Sequence, residues 1–147
     1  MLDRSGKYVG ADYPRDLGFD GSGIKVAVID TGVDYNHPDL FGFGLSGKVV
    51  GGYDFIENDD SPIDTNGHGT EVAGIIAANG SLKGIAPSAK ILAYRVSDTG
   101  EGVSSDLIIK AVQRAVSDGA NVINISLGVN RTNERIDEAI NDAVKKG

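Results

Sequence analysis

The sequence predicts a doubly wound α/β fold on a mainly parallel sheet of about four strands, with helices on both faces. Short, nearly continuous apolar runs recur along the chain, as expected of strands buried on both faces. Between them lie longer segments whose apolar residues repeat at helical spacing. The two kinds of segment alternate from residue 24 onward.

In chain order, IKVAVID at 24–30 is the first strand, preceded by the turn-forming DGSG and followed by Thr31-Gly32. KVVGGYDF at 48–55 is a candidate second strand, weakened by Gly51 and Gly52. Residues 68–78 group Val72, Ala73, Ile75 and Ile76 before the turn signal Asn79-Gly80, which predicts a short helix. KILAYRV at 90–96 and NVINIS at 121–126 are two further strand candidates. Residues 104–118 place Leu107, Ile108, Ala111, Val112, Ala115 and Val116 on one helical face. Ser104 or Ser105 can cap that helix, and Gly119 stands at its exit. From about 133 to 146, Ile136, Ala139, Ile140, Ala143 and Val144 repeat the pattern before Lys145-Lys146-Gly147. A helix with a C-cap glycine is where a further strand would normally begin, although a final helix can also close a complete domain.

Composition narrows the function. A chain of 147 residues suits one domain. Lys plus Arg is 14 and Asp plus Glu is 21, a net charge of −7. Neither nucleic acid nor an anionic membrane is an expected partner of so acidic a chain. There is no cysteine, which excludes disulfides, zinc–thiolate sites and thiol nucleophiles. No apolar run approaches the ~20 residues of a membrane helix. The N-terminal MLDRSGKYVG lacks the apolar stretch of a signal peptide. The 21 glycines, about twice the average frequency of about 7%, point to tight turns and close backbone approaches.

Only His37 and His68 are present, too few for a three-histidine metal centre. His68 lies in Asn66-Gly67-His68-Gly69-Thr70-Glu71, where the predicted helix starts. Asp30 ends the first strand, and catalytic groups of open α/β sheets gather beyond the carboxyl ends of strands. A carboxylate there would accept a hydrogen bond from one imidazole nitrogen and leave the other as a general base. Taken singly, each residue has a plainer reading: a histidine in a Gly-rich helix start, and an aspartate capping a turn.

Four blocks occur in order: VAVIDTGVDYNHPDL at 26–40, NGHGTEVAGIIAA at 66–78, GIAPSAKILAYRV at 84–96 and NVINISLG at 121–128. Together they resemble the subtilisin-like serine proteases over about residues 8 to 147. The resemblance implies that Asp30 and His68 are the catalytic acid and base. It also implies that Ser126, Leu127 and Gly128 line the primary specificity pocket, mostly through backbone groups. Gly100, Glu101 and Gly102 fall where the family pairs with substrate as an added strand; a Gly-rich turn into the following helix is the alternative. Asp54 and Asp59 fall on positions that hold a structural calcium in some members, with Ile63 replacing a polar ligand. The same run, 54–64, also reads as an acidic, solvated loop. Asp39 matches a ligand of another family calcium site, whose accompanying loop, 79–83 here, is shorter than in subtilisin. No cofactor is implied for the chemistry itself. The implied partner is a protein or peptide substrate, and the implied location is extracellular.

Two family blocks are absent: the Gly-Thr-Ser-Met-Ala block with the nucleophilic serine, and the Gly-Asn segment supplying an oxyanion-hole asparagine. None of the 11 serines sits in the first block or in a G-x-S-x-G elbow, and Ser126 matches pocket wall. The expectation is therefore that residues 1–147 are the N-terminal portion of a subtilisin-like catalytic domain, inactive alone. Its missing C-terminal half, or a second copy, is expected to cover the unpaired sheet edge. A non-catalytic peptide-binding or chain-pairing module of the same fold is the other reading. A nucleotide-binding Rossmann domain is disfavoured, because Gly18, Gly21 and Gly23 precede the first strand instead of following it.

Overall fold

The computed structural model describes residues 2–100, 102–128 and 133–147, with side chains from Arg4 onward. In order these form α1 (Leu2–Tyr8), α2 (Asp12–Asp16), β1 (Lys25–Asp30), β2 (Val49–Asp54), α3 (His68–Ala77), β3 (Lys90–Arg95), α4 (Ser105–Ser117), β4 (Val122–Ile125) and α5 (Glu134–Lys145). Every strand and helix expected from residue 24 onward is present, trimmed by no more than one residue at either end. The N-terminal helices α1 and α2 were not expected. They have no apolar stripe to announce them, and α2 contains no buried residue.

The sheet order is β2-β3-β1-β4, with every pairing parallel. Parallel neighbours need crossovers; α3 makes the one from β2 to β3 and α4 the one from β3 to β4, whereas β1 reaches β2 through a helix-free loop. Alternation along the strands divides the apolar residues between two cores. Val26, Val28, Ile91 and Ala93 pack on one face with Ala73 and Ala77 of α3. Ala27, Ile29, Leu92 and Tyr94 pack on the other with Ile108, Ala111, Val112 and Ala115 of α4 and Ile136 of α5. This is the doubly wound arrangement. It buries β1 on both faces, so five of its six residues are buried.

Gly52 explains why two glycines do not break β2. The strand shifts register against β3 between Val49 and Gly51. Gly52 then passes so near β3 that a Cβ on it would lie 1.8 Å from the Ala93 carbonyl oxygen. No other residue fits there without moving a strand.

Among the described residues nothing pairs with the outer edge of β4, and Val122 on it is exposed. Beside it, Val112 and Val116 of α4, Ile123 and Ile125 of β4, and Ile140 and Val144 of α5 line a groove of about 620 Å³.

Candidate active site

Asp30 is the last residue of β1 and is fully buried. His68 opens α3, and its side chain is 46% exposed. The crossover from β2 through α3 brings them together: His68 Nδ1 lies 2.7 Å from Asp30 Oδ1. The Thr31 amide also donates to Oδ1, at 2.7 Å, holding the carboxylate in place. Asp30 Oδ2 is buried and has no hydrogen-bond partner among the described residues.

An ionised carboxylate only accepts, so Nδ1 carries the proton and Nε2 keeps the lone pair. The hydrogen bond from His68 to Asp30, then the Asp30 charge, raise the imidazole pKa above its ordinary value, outweighing desolvation. The raised pKa means that the folded state binds the imidazole proton more tightly than the unfolded state. That stabilisation is complete below the unfolded-state pKa and is lost as pH rises through the folded-state pKa. Thermal unfolding of the wild-type chain and His68→Asn, scanned from about pH 9 to about pH 6, is expected to show the wild-type advantage growing as pH falls. An advantage that shrinks would contradict a histidine held by Asp30.

The described residues among the other expected substrate contacts lie at the same carboxyl end of the sheet. Gly100, five residues past the end of β3, is close to Asp30's neighbour: a Cβ on it would sit 3.8 Å from Thr31 Cγ2. Its amide donates to Ser97 Oγ at 2.9 Å, and Gly102 follows with a positive φ of 63°. Glu101 lies outside the described residues. Ser126, Leu127 and Gly128 continue from Ile125, which pairs with Ile29 next to Asp30. Ser126 Oγ accepts from Asn124 Nδ2 at 2.9 Å, and Ser126 is exposed. The structure thus joins Asp30 to His68 directly and sets Gly100, Gly102 and Ser126–Gly128 beyond the same carboxyl end of the sheet.

The subtilase family profile matches residues 21–147, which includes every expected site residue. The chain belongs to the subtilase family. Among its subtilase relatives, the minor extracellular protease Vpr of Bacillus subtilis is 50% identical over 138 residues, covering 87% of this chain and 17% of that protein. Thermitase of Thermoactinomyces vulgaris is 46% identical over 132 residues, covering 87% of this chain and 46% of thermitase. The major intracellular serine protease of Bacillus subtilis is 40% identical over 139 residues, covering 88% and 42%. The chain therefore spans less than half the length of each of these subtilases.

The subtilase calcium expectation at Asp54 and Asp59 does not fit the arrangement of donors. Asp54 Oδ1 accepts from the Ile56 and Glu57 amides, at 2.7 and 3.0 Å. Asp54 Oδ2 accepts from Arg95 Nη1 at 2.6 Å, within a buried pair. Asp59 Oδ1 caps its own turn through the Ser61 amide, at 2.8 Å. A guanidinium against Asp54 neutralises the charge a cation would need and repels it. Among the described residues, no group of three or more His, Asp or Glu is placed to hold a metal ion. Asp39 likewise accepts from the Ser81 and Leu82 amides, at 2.7 and 3.2 Å.

Sequence reasoning missed two parts of this site. One is Arg95, read only as part of a strand. The other is Asp64, counted among the acidic residues of 54–64 although its place just before a helix start signals a capping role.

Proposed function

We propose that this chain is the acid–base half of a serine endopeptidase, with His68 as general base and Asp30 as its orienting acid. The 2.7 Å contact between His68 Nδ1 and buried Asp30 Oδ1 carries this reading. The serine nucleophile and the oxyanion-hole asparagine would have to be supplied from outside these residues. As that serine oxygen attacks the scissile carbonyl carbon, its proton passes to His68 Nε2. The resulting imidazolium is stabilised by Asp30 and then protonates the leaving amine, so the C–N bond breaks. Water repeats the cycle on the acyl-enzyme, its proton passing to Nε2 and returning to the serine.

A peptide substrate would lie as an added strand against Gly100–Gly102, with Ser126–Gly128 walling the primary pocket through backbone groups. The open β4 edge and the adjoining apolar groove support a role for the rest of the catalytic domain, or a second copy, as partner across that edge. An extracellular location is supported by the name of Vpr, although the family also includes a protease named intracellular. No helix among the described residues is long and apolar enough to cross a membrane.

Incubation with a labelled protein substrate and a fluorophosphonate probe tests the reading. The chain alone is expected to give neither turnover nor labelling. A protein extended through the Gly-Asn and Gly-Thr-Ser blocks of its gene is expected to give both, and to lose both in His68→Ala. Labelling of the chain alone would sink the proposal. Peptide binding by an extended protein that never turns over would favour the non-catalytic module.

A further inference from the structure

We propose that Asp64 is a positioning residue for the Asp30–His68 pair, acting through Thr31 and the loop that carries the imidazole. The inference rests on the reading of His68 as general base, and extends it to a residue that touches neither substrate nor the reacting atoms.

The start of α3 poses a local problem. The amides of its first turn have no helical acceptors, and the residue before the helix, Gly67, has no side chain to supply one. Acceptors come from elsewhere. The His68 amide donates to Asn66 Oδ1 at 3.3 Å, Gly69 to Thr31 Oγ1 at 3.0 Å, and Thr70 to Asp64 Oδ2 at 2.9 Å. Asp64 Oδ2 also accepts from the Thr70 hydroxyl, at 2.5 Å. Its Oδ1 accepts from the Asn66 and Gly67 amides and from Thr31 Oγ1, each at 2.9 Å. One carboxylate therefore receives five hydrogen bonds. Burial would push its pKa up, but the hydrogen bonds from Gly67, Thr70 and Asn66 prevail and hold it below the usual carboxylate range.

The Thr31 hydroxyl is the hinge of this network. It donates to Asp64 and accepts from Gly69, while the Thr31 amide donates to Asp30 Oδ1. The helix start bearing His68 and the strand end bearing Asp30 are thus tied by a second route besides their direct contact. An imidazole nearly half exposed has few packing neighbours to fix it, so its backbone must be fixed instead. Asp64 does this from a place where its charge also complements the positive end of the helix dipole.

NMR of the His68 ring tests the proposal on the chain itself. A Nδ1 proton held by Asp30 resonates far downfield and exchanges slowly with water. Thr31→Val removes the hydroxyl bridge without changing any charge. It is expected to speed that exchange roughly tenfold or more, about the factor one lost hydrogen bond is worth. Asp64→Asn is expected to do the same, because its amide turns an N–H toward the donors of Thr70 or of the loop. Thr31→Ser keeps the hydroxyl and is expected to restore slow exchange. Asp39→Asn weakens a different loop and is expected to lower stability while leaving the His68 proton unchanged.

Wild-type exchange rates in folded Thr31→Val and Asp64→Asn would overturn the role of Asp64 and leave the Asp30–His68 pair intact. Absence of a held proton in the wild-type chain would overturn the pair, and the role of Asp64 with it. If Asp64→Asn does not fold, the contrast between Thr31→Val and Thr31→Ser decides.

Discussion

Arg95→Met is expected to cost about 3–5 kcal/mol of stability and to lower Tm by roughly 10 °C. Arg95 and Asp54 form a buried pair, with side-chain exposures of 8% and 1%. Asp54 and Arg95 are register partners on β2 and β3, so the pair is built into the sheet. Arg95 also pairs with Asp98, whose carbonyl oxygen accepts from Asn66 Nδ2 at 3.2 Å, next to the loop of His68. Methionine keeps much of the aliphatic volume but leaves Asp54 ionised, buried and without its counter-charge. The cost arises mainly from that stranded charge, not from the attraction lost. Asp54→Asn in the Arg95→Met background is therefore expected to recover a substantial part of it, since the Asn oxygen still accepts from Ile56 and Glu57. Equilibrium denaturation of both single variants and the double variant measures the coupling. A loss below about 1 kcal/mol for Arg95→Met would place this pair among exposed, weakly contributing ones.

Gly69→Ala is expected to separate Asp30 from His68. A Cβ on Gly69 would lie 2.1 Å from the Gly32 carbonyl oxygen and 3.2 Å from Asp30 Oδ1. The Gly32 contact is with backbone and cannot be relieved by turning a side chain. Ordinary contact begins at 3.4 Å, so α3 and the end of β1 would have to part by about an ångström. Such a shift spoils the 2.7 Å bond between His68 and Asp30. The expected result is a loss of about 1–3 kcal/mol in stability and, in an extended active protein, of about a hundredfold in kcat/KM. Gly74→Ala, on the same helix, is the comparison. A Cβ there meets nothing within 4 Å, and its φ is not positive. It is expected to be neutral or to stabilise the chain by about 0.5–1 kcal/mol. Equal gains in the two variants would show that helix propensity, not close approach, controls this position.

Much of this was legible in the sequence. The run IKVAVID and the helical spacing from Leu107 to Val116 are local patterns, and local patterns mark elements without knowledge of neighbours. The motif around His68 lies at a helix start, and Asp30 lies at a strand end, so both candidates could be named before their contact was seen. The helices α1 and α2 were not legible, because neither shows a periodic apolar face. Asp54 was named as a possible calcium ligand from its match to a family ligand position, whereas its partner Arg95, 41 residues away, is not visible from the local run.

The sequence by itself determined the order of strands and helices from residue 24 onward and the two residues of the candidate acid–base pair. These depend on residue type and spacing along the chain. Only the tertiary structure decided the strand order β2-β3-β1-β4, the pairing of Asp54 with Arg95, and the role of Asp64 as collector of the loop's donors. Each depends on which segments become neighbours across the sheet. That choice is made when two apolar faces are buried together, and no single stretch of sequence contains it.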